Sequence, residues 1–191
     1  MLSLLAKLNF FKMAQIKVLD KTFESYISYN QIEKAVQKIA KKMEKDLAGK
    51  NPLFLVILNG AFMFAGDLFK NLHFPAEISF VKFASYSGTN STGAVKQLIG
   101  LNEDVEGRVI VLVEDIVDTG ISIEKLLKDL ATRKPADVKI ATLLFKPDAY
   151  IKDFKIDYIG LEIPNDFIVG YGLDYNGKAR NFKDIYRIVN Q

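Results

Sequence analysis

The chain has no cysteine and only one histidine among its 191 residues. Without cysteine, the protein cannot form disulfides, use a thiolate nucleophile or bind zinc through sulfur. The histidine, His73, lies apart from every group of polar residues that suggests chemistry, so we expect it to be structural. The lack of cysteine also fits a reducing compartment, and we predict a cytoplasmic protein.

Long hydrophobic runs are absent as well. No segment approaches the roughly 18 apolar residues that a membrane-spanning helix needs. The apolar start of the chain is broken by Lys7 and Asn9, and no small-residue cleavage site follows, so a signal peptide is not predicted. We interpret residues 1–12 as a disordered or non-native extension, and residues 13–191 as a single domain.

Neither sign of charge is in large excess. The 26 basic and 23 acidic side chains leave a formal net charge of +3, which is too small to indicate a nucleic-acid or membrane partner. No repeat and no linker rich in Pro, Gly or Ser divides the chain. The length and the 49% of hydrophobic residues indicate one globular domain with a substantial core.

Candidate strands alternate with candidate helices along the chain. Aliphatic or alternating runs predict strands, and apolar residues at helical spacing predict helices. The predicted strands are Leu53–Leu58, Glu77–Phe83, Val109–Val113 and Val138–Phe145. The predicted helices are Asn30–Leu47, one following Asn59-Gly60 through Leu68, and one headed by Ser122. This alternation indicates an α/β fold with a central parallel β-sheet flanked by helices.

The sequence also contains signals for the ends of one helix and for two irregular segments. Asn30, with Glu33 three residues later, has the pattern of a capping box, and Gly49 ends the same helix. The polar segment Ala84–Gly100 shows little periodicity, so we expect a mobile lid or a disordered loop there. The segment after Pro147 has an irregular pattern compatible with a small flap over the strand ends.

Three carboxylates follow the most apolar strand of the chain. Glu114 and Asp115 come directly after Val109–Val113, and Asp118 follows. Ligands bind at the carboxyl ends of strands in open parallel sheets, and the free N–H groups at residues 119–122 form a helix N-terminus suited to phosphate. The alternative is a solvated acidic loop with an ordinary Thr or Ser cap, but a cap does not explain three carboxylates within five residues.

The segment Glu-Asp-Ile-Val-Asp-Thr-Gly-Ile-Ser resembles the motif that binds phosphoribosyl diphosphate (PRPP) in type I phosphoribosyltransferases, and in particular their hypoxanthine-guanine branch. The resemblance implies the fold of that family, with a small hood formed by the C-terminal and part of the N-terminal segment. It also implies that Asp118 is a general base for the N7 proton of a purine. The PRPP-binding positions implied here are Glu114, Asp115, Ile116, Asp118, Thr119, Gly120, Ile121 and Ser122.

A second set of residues matches the purine-binding positions of the same family. Lys146 follows a strand and by itself suggests only a solvated lysine, but the resemblance implies that it donates to the 6-oxo group of the base. An ammonium has no acceptor, so it favours an oxo group over an amine. In the segment Glu162–Asn176, the matching positions are Phe167 for stacking, the Ile168 backbone for the purine edge and Asp174 for Mg²⁺. The alternatives are core packing for Phe167 and a turn for Asp174.

Three further places in the chain match parts of the family that handle pyrophosphate. Arg180 matches a catalytic arginine whose guanidinium grips pyrophosphate. Asn59 and Gly60 match the pyrophosphate loop, which implies a cis peptide bond after Leu58. Many relatives carry lysine where this chain has Asn59, and an ordinary Asn-Gly turn is the alternative. Ser85 and Tyr86 match the pair on the mobile lid and are counted among the PRPP-binding residues.

Together these matches imply a Mg²⁺-dependent transferase of purine salvage. The implied partners are PRPP and a 6-oxopurine base, with no nucleic acid and no membrane, in a homodimer or homotetramer. The catalytic residues would be Asp118, Lys146 and Arg180, and the metal would be held by Glu114, Asp115 and Asp174. The rivals are a regulatory protein of the same fold that binds nucleotides or RNA without catalysis, and a transferase for another base.

Overall fold

The structure is a computed structural model that describes residues 14–83, 97–99, 101 and 103–189. Ser85, Tyr86 and the predicted extension at residues 1–12 lie outside the described residues. The strands are β1 (Gln15–Val18), β2 (Lys21–Ile27), β3 (Leu53–Leu58), β4 (Glu77–Phe83), β5 (Gln97–Ile99), β6 (Val109–Val117), β7 (Asp137–Phe145), β8 (Tyr158–Glu162), β9 (Ile168–Val169) and β10 (Ile185–Ile188). The helices are α1 (Tyr29–Leu47), α2 (Phe62–Lys70) and α3 (Ile121–Thr132).

The larger of two sheets has the strand order β5-β4-β3-β6-β7-β8. All of its strand pairs are parallel except the pair of β5 with β4, which is antiparallel. Its central strands are apolar at consecutive positions because helices cover both faces. On β3, Phe54 and Val56 pack with α1 and α2, while Leu53 and Leu55 pack with α3. This confirms the predicted parallel sheet flanked by helices.

A four-stranded antiparallel sheet forms the predicted hood. Its strand order is β1-β2-β10-β9, so the two ends of the described chain meet in it. Phe23 and Val169 are fully buried in a small separate core of this sheet. The hood thus has its own packing and joins the main body through the polypeptide at 28–29 and 163–168, and through side-chain contacts.

Two predicted details are wrong. Strand β6 continues to Val117, so Glu114 and Asp115 lie within the strand; β6 keeps pairing with β7 beyond the acidic pair. Helix α1 is capped by Ser28 rather than Asn30, because the Oε1 of Gln31 accepts hydrogen bonds from the Ser28 N–H at 3.0 Å and its hydroxyl at 2.8 Å. The helix predicted to be headed by Ser122 is confirmed as α3, which begins one residue earlier, at Ile121.

Other predicted elements are confirmed, two of the strands with both of their predicted ends. Strands Leu53–Leu58 and Glu77–Phe83 have the predicted ends, and β7 begins one residue earlier than predicted. The short strand β5 lies within the segment predicted to be a polar loop, and β8 was not predicted. Within the described residues, no helix combines the length and apolarity that crossing a bilayer requires.

Candidate active site

Strand register brings several predicted residues to one edge of the main sheet. Val117 on β6 is paired with Phe145 on β7, so the next residues, Asp118 and Lys146, leave the sheet side by side. Their side chains meet, with Lys146 Nζ lying 3.4 Å from Asp118 Oδ2. Lys146 is buried, with 7% of its surface exposed, so it is not a solvated surface lysine.

Lys146 has a second partner that the sequence did not single out. The side-chain Oδ1 of Asn165 accepts a hydrogen bond from Lys146 Nζ at 3.1 Å. Two oxygens therefore orient a buried ammonium, which needs such partners because burial removes its hydration. Asn165 lies two residues before Phe167, inside a motif whose other positions carried the resemblance. Asn165 is recognised as a site residue only from its contact with Lys146 in the folded structure.

The acidic pair on β6 lies next to the pyrophosphate-loop candidate. Asp115 is buried, and its Oδ1 accepts a hydrogen bond from the Ile116 N–H at 2.9 Å. A Cβ atom added to Gly60 would lie 1.6 Å from Asp115 Oδ2, so the close approach of the two groups requires glycine at this position. Burial and the neighbouring Asp115 raise the pKa of Glu114 well above its ordinary value.

The loop after β3 also touches the hood. The peptide bond between Leu58 and Asn59 is cis, as the resemblance implied. Gly172 has a φ of +97°, and a Cβ atom there would lie 2.0 Å from the Gly60 carbonyl oxygen. The loop is therefore held between Asp115 on one side and the hood segment around Gly172 on the other.

Arg180 and Asp174 come together in that hood segment. Arg180 Nη2 lies 2.5 Å from Asp174 Oδ1, and Arg180 Nη1 donates to the Gly172 carbonyl oxygen at 2.6 Å. The other carboxylate oxygen of Asp174 accepts from the Gly177 N–H at 2.6 Å, which is the turn contact expected from the alternative reading. The turn contact and a metal role are compatible, because a carboxylate has several acceptor positions.

The candidate base-stacking residue directly precedes strand β9 of the hood. Phe167 is 44% exposed, so core packing does not account for it. Its ring centroid lies 5.9 Å from that of Tyr175 and 6.1 Å from that of Phe23, which fix its position from one side. Ile168 is buried in β9 and pairs with Arg187 on β10.

The predicted phosphate turn lies at the start of α3. Ile121 and Ser122 are exposed, and the Ile121 N–H donates to Thr119 Oγ1 at 3.4 Å. Gly120 is buried and immediately precedes the helix. The first N–H groups of the helix have no partner within it and can meet an anion.

A match to a family model covers most of the chain. Residues 25–176 match the model of the phosphoribosyl transferase domain. The chain belongs to the phosphoribosyltransferase family. A hypoxanthine-guanine phosphoribosyltransferase of Streptococcus pneumoniae strain R6 is 40% identical over 156 residues, covering 81% of this chain and 87% of that relative. A protein of the same name from Lactococcus lactis is 42% identical over 167 residues, covering 86% and 91%.

A solved structure supports the same placement. The crystal structure of a hypoxanthine-guanine phosphoribosyltransferase from Bacillus anthracis, with a HEPES molecule in its active site, superposes with a TM-score of 0.80 at 34% identity. The match covers 87% of this chain and 97% of that one. Within the phosphoribosyltransferase family, this chain therefore belongs to the hypoxanthine-guanine branch.

The candidate site consists of two sets of contacts at this end of the sheet. One joins Asn165 and Lys146 to Asp118, and the other runs from Asp115 through Gly60 and Gly172 to Arg180. The site combines a carboxylate beside an ammonium, an acidic pair and a guanidinium. Ser85 and Tyr86 stay predictions, since they lie outside the described residues.

Proposed function

We propose that this chain transfers the 5-phosphoribosyl group of PRPP to hypoxanthine or guanine, giving IMP or GMP and pyrophosphate, as a step of purine salvage. The observation that carries the proposal is the contact of Lys146 with Asp118 at the carboxyl edge of the sheet, in a chain of the hypoxanthine-guanine branch. The Lys146 ammonium can only donate, which suits the O6 acceptor of a 6-oxopurine, and the Asp118 carboxylate can accept, which suits an N–H at N7.

In the proposed reaction, the bond between ribose C1′ and pyrophosphate breaks ahead of formation of the bond to the purine nitrogen. The electron pair of the broken bond leaves with pyrophosphate, and Asp118 takes the N7 proton of the base. Lys146 donates to O6, Phe167 stacks on the ring and the Ile168 backbone bonds its edge. General-base catalysis of this kind contributes about 10²–10⁴-fold to the rate.

The anionic parts of PRPP are assigned to the other groups of the site. The N–H groups of residues 119–122 hold the 5′-phosphate, and the carboxylates of Glu114 and Asp115 hold the ribose hydroxyls. Arg180 and the backbone of Asn59 and Gly60 stabilise the charge that develops on pyrophosphate. Since Asn59 is uncharged, Arg180 supplies a larger share of that stabilisation than in relatives with lysine there.

The donor set of the site also suits Mg²⁺. No three His, Cys, Asp or Glu side chains gather into a metal site within the described ranges, but Mg²⁺ keeps several waters and needs only one or two carboxylates. Glu114 and Asp115 are two adjacent carboxylates, and burial and proximity raise the pKa of Glu114, so a cation there would relieve their repulsion. We assign Mg²⁺ to two separate places, the pair Glu114 and Asp115 and the single carboxylate of Asp174, where it would neutralise diphosphate charge.

The rival of a regulatory RNA-binding protein would need a basic face. The described residues do contain a depression of about 440 Å³ lined by Lys42, Lys45, Lys50, Lys139 and Lys155. It also contains Asp46 and Asp157, and Lys155 pairs with Asp157 at 3.7 Å. The acidic residues lower its net charge, and the carboxylate at 118 that the rival does not need is present, so catalysis is favoured. We retain the expected homodimer or homotetramer as part of the proposal.

The decisive experiment measures nucleotide formation from PRPP and Mg²⁺ with hypoxanthine, guanine, xanthine, adenine and uracil in turn. Hypoxanthine or guanine should be used, whereas turnover of adenine or uracil alone would indicate a transferase for another base. Asp118→Asn should lower turnover by about 10²–10⁴-fold and leave PRPP affinity, measured by calorimetry, nearly unchanged. Asp129→Asn, on the exposed face of α3, is the matched control and should keep full turnover. Unchanged turnover in Asp118→Asn would refute its role as base.

A further inference from the structure

Tyr171 occupies a backbone conformation that a residue with a side chain rarely adopts. Its φ is +47°, and it lies between Gly170 at +98° and Gly172 at +97°. Glycine is the residue that fits three successive positive φ values, since a Cβ atom is disfavoured there. A tyrosine at the middle position indicates that its side chain contributes something a glycine cannot supply.

The Tyr171 side chain reaches into the main body of the molecule. It is 1% exposed, and its hydroxyl donates to Asp67 Oδ2 on α2 at 2.7 Å. Asp67 also accepts from the Tyr29 hydroxyl at 3.2 Å and from Lys70 Nζ at 2.8 Å. Three donors thus converge on one carboxylate, which joins the hood segment to α1 and α2. Burial of the Tyr171 hydroxyl raises its pKa, so it is a neutral donor.

Both ends of this contact lie next to the candidate pyrophosphate site. Helix α2 begins at Phe62, two residues after Gly60, and Gly172 immediately follows Tyr171. Gly172 packs on the Gly60 carbonyl, while its own carbonyl accepts from Arg180. A shift of Tyr171 would therefore displace Gly172, and with it both the loop at Gly60 and the guanidinium.

We infer that the hydrogen bond between Tyr171 and Asp67 positions the two halves of the pyrophosphate site, the Asn59-Gly60 loop and Arg180, relative to each other. Tyr171 is a positioning residue and touches no reacting atom. Part of this inference rests on the proposed function, because it takes pyrophosphate as the ligand of these groups. The positioning itself rests only on the contacts among Tyr171, Asp67, Gly172 and Gly60.

The test compares Tyr171→Phe with Tyr158→Phe. Tyr158 is also 1% exposed and donates its hydroxyl to an aspartate, Asp46 at 3.1 Å, but lies at the amino end of the sheet. The two variants should lose similar thermal stability. Only Tyr171→Phe should raise the KM for PRPP, and for pyrophosphate in the reverse reaction, by about tenfold, or about 1.4 kcal/mol. Asp67→Asn, which keeps an acceptor oxygen, should restore part of the affinity lost in Asp67→Ala.

Hydrogen exchange of the segment 58–64 gives a readout that does not need activity. It should be faster in Tyr171→Phe than in the wild type and unchanged in Tyr158→Phe. Equal KM changes in the two tyrosine variants, or unchanged exchange at 58–64, would overturn the positioning role. If the wild type forms no nucleotide, the proposed function fails, and the exchange comparison alone decides the positioning.

Discussion

The charged side chains of the site pair with one another. Lys146 lies beside Asp118, and Arg180 beside Asp174, so each cation proposed to meet the substrate already has an acidic partner. A buried cation without a partner would be strongly disfavoured, which explains why Lys146 also contacts Asn165. In the proposed reaction, substrate oxygens would replace or join an existing acceptor, so the charged groups are already in position before a 6-oxopurine and pyrophosphate bind.

The residue with the sharpest consequence for base choice is Lys146. In Lys146→Ala, rates with hypoxanthine and guanine should fall roughly 10- to 100-fold, since a hydrogen bond from a charged donor contributes about 1.5–3 kcal/mol. The rate with adenine relative to hypoxanthine should rise. Steady-state rates with the three bases check this, and Lys155→Ala, an exposed lysine, is the control. Unchanged rates with the two 6-oxopurines would show that another residue selects the base.

At the scale of elements, the sequence predicts what depends on local pattern. The apolar run of β3 predicts a buried strand, and the carboxylates of β6 predict which edge of the sheet binds ligand. The hood strands β1 and β2 could not be placed in this way, because β1 pairs with β2, and β2 in turn pairs with β10, more than 150 residues away. Strand β8 escaped prediction because it is short and includes Gly160, whose Cβ would meet the Leu143 carbonyl at 2.5 Å.

Contacts between distant segments explain the other misses. Tyr171 and Asp67 are separated by 104 positions, so nothing in the local pattern links them. Asn165 is distinguished only by its contact with Lys146. For α1, the apolar spacing located the helix but not its first residue, because Ser28-Gln31 and Asn30-Glu33 both have the residue types of a capping box and are offset by only two residues.

The capping of α1 gives a prediction at this scale. Ser28 precedes the helix in an extended conformation, with φ −73° and ψ 153°, and bonds to Gln31, whereas Asn30 is exposed. Ser28→Ala should lower the free energy of unfolding by about 1 kcal/mol, and Asn30→Ala, the matched control, by much less. Urea denaturation of the two variants measures the difference. A larger loss in Asn30→Ala would contradict the assignment of the cap.

For the molecule as a whole, a few polar contacts join the hood to the main body. The Tyr29 N–H at the start of α1 donates to Asp184 Oδ1 at 2.7 Å, close to β10 of the hood. Tyr29 and Tyr171 then both bond to Asp67. The hood carries Phe167, Asp174 and Arg180, and the main sheet carries Asp118 and Lys146. Stability and catalysis therefore both depend on how firmly these two parts are joined.

The ionisation of Asp67 gives that junction a dependence on pH. Burial raises the pKa of Asp67, but hydrogen bonds from Lys70, Tyr171 and Tyr29 outweigh it and leave the pKa below its ordinary value of 3.8. Because the folded pKa is the lower one, ionised Asp67 stabilises the fold fully above about pH 4, and the contribution is lost as the pH falls through the folded pKa.

Asp67→Asn should therefore be less stable than the wild type at pH 7, and the difference should shrink as the pH falls below 4. Urea unfolding at pH 7, 5, 3.5 and 2.5 measures the difference in free energy at each pH. Asp129→Asn, on the exposed face of α3, controls for the loss of a carboxylate as such and should follow the wild type throughout. If the difference in the free energy of unfolding between Asp67→Asn and the wild type stays constant to pH 2.5, the charge of Asp67 does not hold the hood in place. The difference would then come only from the hydrogen-bonding geometry and packing of the side chain.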